Sequence, residues 1–202
     1  MKVLQTKTAP NPRRVRIFLA EKGIEVPFEE LDILKGLKTP EFTRLNPFQR
    51  VPVLMLDDGT AIAETMAICR YFEETKPEPA LFGKGAKQRA LIEMWNRRVE
   101  LGLLACIAAA FRHLHPAAAQ LEVPQFPAWG EANKPKAQEV MRILDEELGK
   151  RRFIAGDEYS VADITALVAV DFTKPARVER PPGLDHLARW HREVSARTGA
   201  KA

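Results

Sequence analysis

Apolar and polar positions through residue 74 change period several times, the behaviour of a mixed unit of strands and helices. Val3-Leu4-Gln5 reads as a short strand, and Thr8-Ala9-Pro10-Asn11-Pro12 as the turn that follows it. Behind the turn, Val15, Ile17, Phe18 and Leu19 give a helix its apolar face until Gly23 stops it. Residues 26–33 alternate well enough for a second strand, and 40–45 form a short helix before Asn46-Pro47. Asp57-Asp58-Gly59 separates two apolar runs, Val51-Pro52-Val53-Leu54-Met55-Leu56 and Ala61-Ile62-Ala63, which predicts a hairpin. A further helix covers 65–74, with Ile68, Tyr71 and Phe72 on one face. The predicted order is β-α-β-α-β-β-α.

Pro77, Pro79, Gly83 and Gly85 then interrupt every periodic pattern. Beyond them apolar positions recur at helical spacing over 91–114, 129–148, 161–170 and 184–195. Ser160-Val161-Ala162-Asp163 resembles a capping box in which Asp replaces the usual longer Glu or Gln and reaches less far. The predicted organisation is a mixed domain at 1–76, a linker at 77–86 and an all-helical domain at 87–202.

Composition narrows the classes of function. Hydrophobic residues make up 46% of the 202, enough to form cores without metal or disulfide support. The 31 basic residues are scattered among 27 acidic ones; no basic run points to nucleic acid, and small anionic ligands suit the net charge of +4 better. Cys69 and Cys106 lie inside apolar helical patterns as small buried hydrophobes do, and no Cys/His spacing predicts a metal site or redox pair. The longest apolar run, 101–111, falls short of the ~20 residues a bilayer needs, and the first residues are too short a run for a signal segment. The expectation is a cytoplasmic protein without a membrane span.

Two segments carry a resemblance. Asn46-Pro47-Phe48-Gln49-Arg50-Val51-Pro52-Val53-Leu54, followed by Glu64-Thr65-Met66-Ala67-Ile68, resembles the glutathione-binding core of the glutathione transferase family. The stretch from Pro10 to Ile24 resembles the family's first helix, 91–111 the long first helix of its helical domain, and Val161-Ala162-Asp163-Ile164 that domain's capping segment. Four strings in the right order and spacing make the likeness specific over the whole chain. It implies a thioredoxin-like N-terminal domain that holds glutathione, followed by an all-helical C-terminal domain. It also implies a homodimer that conjugates the glutathione thiolate to small electrophiles in detoxification.

The resemblance assigns binding roles for which the residue types are suited. A cis peptide at Pro52 would turn the Val51 amide and carbonyl outward to pair with the tripeptide as a strand does, whereas a trans proline would simply open an edge strand. Thr65 stands where a helix begins, so that amides and the positive helix end face the γ-glutamyl carboxylate; a plain N-cap is the alternative. Glu64 would meet the ligand ammonium in a charge-assisted bond. Arg50, and Lys38 near a second family position, would reach the glycyl carboxylate, or remain solvated cations.

Activation of the thiol is the family's central task. Lowering a thiol from ~8.5 to about 6.5 needs roughly 2.7 kcal/mol of preferential thiolate stabilisation. The position at which serine-type and cysteine-type classes carry their hydroxyl or thiol falls on Ala9, which offers neither. Asn11, where the nu class has an asparagine against the sulfur, is the first candidate and Thr8 the second; the amides between Ala9 and Asn11 could also serve. The alternative for Asn11 is a plain N-cap of a helix beginning at Pro12. With no cysteine in this loop, a mixed-disulfide mechanism is not expected.

In the family the electrophile lies between the domains. Trp95, Arg98, Leu101, Ala105, Phe111 and His113 lie on or near the helix involved, with Phe48 and Phe172 elsewhere, and several of them must be core. His113 and His115 would complement the negative end of their helix. Two further functions stay open: a nu-like glutathione-dependent disulfide reductase or peroxidase, favoured by the asparagine, and a non-catalytic glutathione-binding relative, favoured by Ala9.

Overall fold

In the computed structural model, which describes all 202 residues, Val3 and Leu4 sit at the middle of a four-stranded sheet of order β2-β1-β3-β4. The elements are β1 (Lys2–Gln5), α1 (Pro10–Lys22), β2 (Phe28–Glu30), α2 (Pro40–Leu45), β3 (Val53–Met55), β4 (Ala61–Ala63) and α3 (Thr65–Thr75). β1 runs parallel to β2, which requires the α1 crossover, and antiparallel to β3; β3 and β4 form the expected hairpin. Alternation along β1 and β3 sends Val3 and Leu54 to one face and Leu4 and Val53 to the other. All four are buried. This is the thioredoxin-like arrangement, with the element order the periodicity predicts.

The second strand is shorter than its pattern. Its three residues are all exposed on the sheet edge, and the Asp32 carboxylate ends the run by accepting the amides of Leu34 (2.8 Å) and Lys35 (2.7 Å). Those amides hold the Asp32 carboxyl below its ordinary range.

Backbone contacts divide the chain into two compact units, Met1–Ala80 with Thr198–Ala202, and Leu81–Arg197. Within the first, Lys22 at the end of α1 is buried; its ammonium donates to the carbonyls of Lys76 (2.7 Å), Pro77 (3.1 Å) and Pro79 (2.6 Å) and pairs with Glu73 at 2.5 Å.

The second unit is helical: α4 (Gly85–Arg98), a π-helical segment (Val99–Leu104), α5 (Ala105–Leu114), α6 (Pro127–Leu148), α7 (Val161–Phe172) and α8 (Asp185–Ser195). α7 is buried on every side from Val161 to Val170, as an all-round apolar helix should be. Asp163 is long enough for its capping role after all: Oδ2 accepts from the Ser160 amide at 3.0 Å and its hydroxyl at 3.1 Å. Oδ1 accepts from the Ile154 amide and the Trp190 indole, both at 2.9 Å. Burial pushes the Asp163 carboxyl up to about 6 despite these donors. No helix of the chain is long and apolar enough to cross a membrane.

Candidate functional site

The turn between β1 and α1 is fixed before any ligand arrives. Thr6 donates its hydroxyl to the Leu31 carbonyl (2.8 Å), and the Ala9 amide folds back on the Thr6 carbonyl (3.0 Å). Lys7 donates its amide to Glu30 Oε2 (2.9 Å) and accepts at its carbonyl from Arg16 Nη2 (3.0 Å). Gln5 links the two: Oε1 accepts from Arg16 Nη1 (2.7 Å), and Nε2 donates to Glu30 Oε1 (2.5 Å). Burial pulls the Arg16 guanidinium below its ordinary value, helped by Arg13 and opposed by Glu30.

α1 starts two residues earlier than a cap at Asn11 would require. Its N-cap is Ala9, with Pro10 at the first helical position, so the N-cap alternative for Asn11 does not hold. Proline has no amide hydrogen; among the first three helical residues, Pro10, Asn11 and Pro12, Asn11 alone presents an N–H at the positive helix end. The Asn11 side chain is oriented as well. Its Oδ1 accepts from the buried Arg14 guanidinium at 3.2 Å, which has only donors to offer, and this leaves the Nδ2 hydrogens as the outward group. Thr8 is exposed in the turn.

The second part of the site is built by the hairpin. β3 and β4 pair Val53 with Ala63 at the end of the hairpin, so that Val51 enters β3 at the end where Glu64 and Thr65 leave β4. The Val51–Pro52 peptide is cis, as expected. Glu64, exposed, takes the N-cap position of α3 with φ 68° and ψ 124°; Thr65, 5% exposed, is the first helical residue and not the cap. A non-glycine residue held at positive φ costs about 1–3 kcal/mol and persists where its surroundings enforce it. Gln49, one residue before Arg50, has φ 52°.

One buried cluster underlies all of these segments. Leu4, Leu37, Phe42, Val51 and Val53 pack together, with Ala9 and Ala63 against them. Ala9 carries the turn with Thr8 and leads to Asn11, Leu37 precedes Lys38, Val51 follows Arg50, and Ala63 precedes Glu64 and Thr65. Arg50 and Lys38 are exposed, and the Arg50 carbonyl is held by Asn46 Nδ2 at 2.8 Å. Sequence reasoning missed Gln5, Arg14, Arg16 and Glu30. Arg14, a cation among the apolar positions of α1, is a signal that was available; the Glu30 pairing depends on the sheet register and leaves none in the string.

The second-pocket candidates do not converge. Trp95 meets the guanidinium groups of Arg98 (4.7 Å) and Arg151 (4.3 Å) over its ring, and with Leu101, Val140 and Ile143 it lines a groove of about 570 Å³. Phe111 instead stacks on His115 (4.8 Å between centroids) and meets Phe172 (5.2 Å). The Nδ1 atoms of His113 and His115 accept the amides of Phe126 and Ala117, each at 3.1 Å.

Comparison with known proteins gives a consistent result. The "Glutathione S-transferase, N-terminal domain" family matches residues 8–75, and the "Glutathione S-transferase, C-terminal domain" family matches 130–198. The chain is 37% identical to Glutathione S-transferase 2 of Saccharomyces cerevisiae over 100% of its length and 88% of that protein's. It is 32% identical to the maleylacetoacetate isomerase of Mus musculus, covering 84% of this chain and 76% of the relative. A crystal structure of a glutathione S-transferase domain-containing protein from Marinobacter aquaeolei VT8 superposes with a TM-score of 0.95 at 43% identity, over 98% of this chain and 99% of the other. With both domain families present in order and a relative of this identity spanning it end to end, the chain belongs to the glutathione S-transferase family.

Proposed function

We propose that the protein conjugates the thiolate of glutathione to small electrophilic substrates. The observation that carries the reading is the buried cluster of Leu4, Leu37, Phe42, Val51 and Val53, because it holds the thiol turn, the Val51 loop and the start of α3 against one small core. In this reading the tripeptide main chain pairs with Val51 beside Pro52. Its γ-glutamyl carboxylate lies at the amide of Thr65, where the α3 dipole adds to the hydrogen bond, and its ammonium meets Glu64. Arg50 and Lys38 take the glycyl carboxylate from the solvent side.

The sulfur lies at the opening of α1. Asn11 donates to it through its amide and Nδ2, with Thr8 as the second donor, and the thiol proton leaves to solvent. The thiolate then forms a carbon–sulfur bond with the electrophile, whose leaving group departs with the electron pair of the broken bond. The groove beside Trp95, with Leu101 58% and Ile143 44% exposed, supports a homodimer. Light scattering of the pure protein tests that part.

Titration calorimetry with glutathione and conjugation of a chloronitrobenzene test the function together. Uptake with turnover is expected; no uptake at millimolar glutathione would remove the proposal. A second reading, glutathione-dependent reduction of disulfides or isomerisation, is favoured by Ala9 in place of a hydroxyl and by the isomerase among the relatives. Uptake without conjugation, but with turnover of a mixed disulfide or a cis-enone, would select it.

A further inference from the structure

The turn from β1 into α1 is held from outside by two side chains of opposite charge. Glu30 on β2 spends separate carboxylate oxygens on the Lys7 amide and Gln5 Nε2, at 2.9 and 2.5 Å. Arg16, in the second turn of α1, spends separate nitrogens on the Lys7 carbonyl and Gln5 Oε1, at 3.0 and 2.7 Å. Gln5 joins the two, so both polar groups of the Lys7 main chain are fixed by a closed, charge-assisted chain of bonds. Little in the fold calls for this chain. The β1–β2 pairing is carried by the backbone register from Val3 to Gln5, and Glu30 is exposed.

The need arises from Ala9. A serine hydroxyl can rotate to meet a sulfur, whereas an amide goes only where the backbone puts it. With an alanine at the N-cap and prolines on both sides of Asn11, the donors at the helix opening are main-chain groups and an anchored Asn11 side chain. Their placement is then set by whatever fixes residues 6–9.

We propose that Glu30 and Arg16 are positioning residues for thiolate formation: by pinning Lys7 they set where the Thr8 and Asn11 donors stand against the sulfur. This rests on the function proposed above. Glu30 reaches the reacting atom only through the turn, and its removal alters ionisation of the bound thiol rather than the grip on the peptide.

Wild type, Glu30→Ala, Glu30→Gln and Arg16→Met are compared in three measurements: amide hydrogen exchange without ligand, glutathione calorimetry, and ultraviolet titration of the bound thiol. In Glu30→Ala, exchange at Lys7 and Ala9, whose amides are bonded in the turn, should rise about tenfold while the Kd for glutathione stays within about twofold. The bound thiol pKa should rise by about half to one unit, with kcat down about three- to tenfold and KM for glutathione little changed. Glu30→Gln, which keeps one acceptor, should fall between, and Arg16→Met should follow Glu30→Ala. Unchanged exchange at Lys7 and Ala9 in Glu30→Ala would overturn the hold itself. Faster exchange with an unaltered thiol pKa and kcat would overturn the positioning role while leaving the proposed function standing. A wild type that takes up no glutathione would remove both.

Discussion

Each unit buries an ion at a helix end, and the two are held differently. Lys22 closes α1, where a cation suits the helix dipole, and its ammonium has three carbonyls and the Glu73 carboxylate around it. Asp163 sits in the first turn of α7, where an anion suits the dipole, but its four partners are two amides, a hydroxyl and an indole, with no cation among them. A buried charge with a counter-ion is lost only by breaking the pair. One held by dipoles alone has an adjustable charge state, and its carboxyl stands at about 6.

Removing Lys22 sharpens that contrast most. Lys22→Met removes the buried ammonium paired with the Glu73 carboxylate and should cost about 3–5 kcal/mol in urea unfolding. Asp163→Asn keeps one acceptor and should cost less, about 1–3 kcal/mol near neutral pH.

The acidity of Asp163 gives that variant a second use. Its folded value lies above the ordinary 3.8, so the folded state holds the proton more tightly and this contribution to stability is full below 3.8. It is lost as pH rises to about 6, at most about 3 kcal/mol in all. Wild-type stability relative to Asp163→Asn should therefore fall across that interval; a flat difference would mean that the dipoles hold the carboxylate ionised throughout.

Arg50→Ala should leave stability nearly untouched, since Arg50 is exposed, whereas Asn11→Ala takes an acceptor from the buried Arg14 guanidinium and should cost about 1 kcal/mol in urea unfolding. Asn11→Ala should lower kcat/KM about tenfold, a loss of about 1.4 kcal/mol in the transition state, and Asn11→Asp should lower it further by setting a like charge against the thiolate. Arg50→Ala should weaken glutathione binding only about two- to fivefold, as solvent screens the contact.

Segments whose shape is decided locally were legible in the sequence. The hairpin at Asp57-Asp58-Gly59, the proline-rich opening of α1 and the order of elements all rest on near neighbours. What was hidden depends either on distant partners or on local choices that the string permits equally. The second strand ends early because the Asp32 side chain turns back on the amides of Leu34 and Lys35. Glu30 and Arg16 meet only once β1 and β2 lie side by side. The position of Asn11 inside its helix, rather than at its cap, followed from a start at Pro10, which a proline permits as readily as one at Pro12.

The π-helical segment Val99–Leu104 was equally invisible, because the apolar pattern runs through it without a break. A π turn closes its hydrogen bonds over one residue more than an α turn. The segment therefore absorbs a surplus residue between α4 and α5 without rotating either helix away from its neighbours. Shortening 99–104 by one residue would restore an ordinary helical turn, with Trp95 and Phe111 still facing their present partners. Here the chain can change length in the middle of a helix, a tolerance otherwise confined to loops.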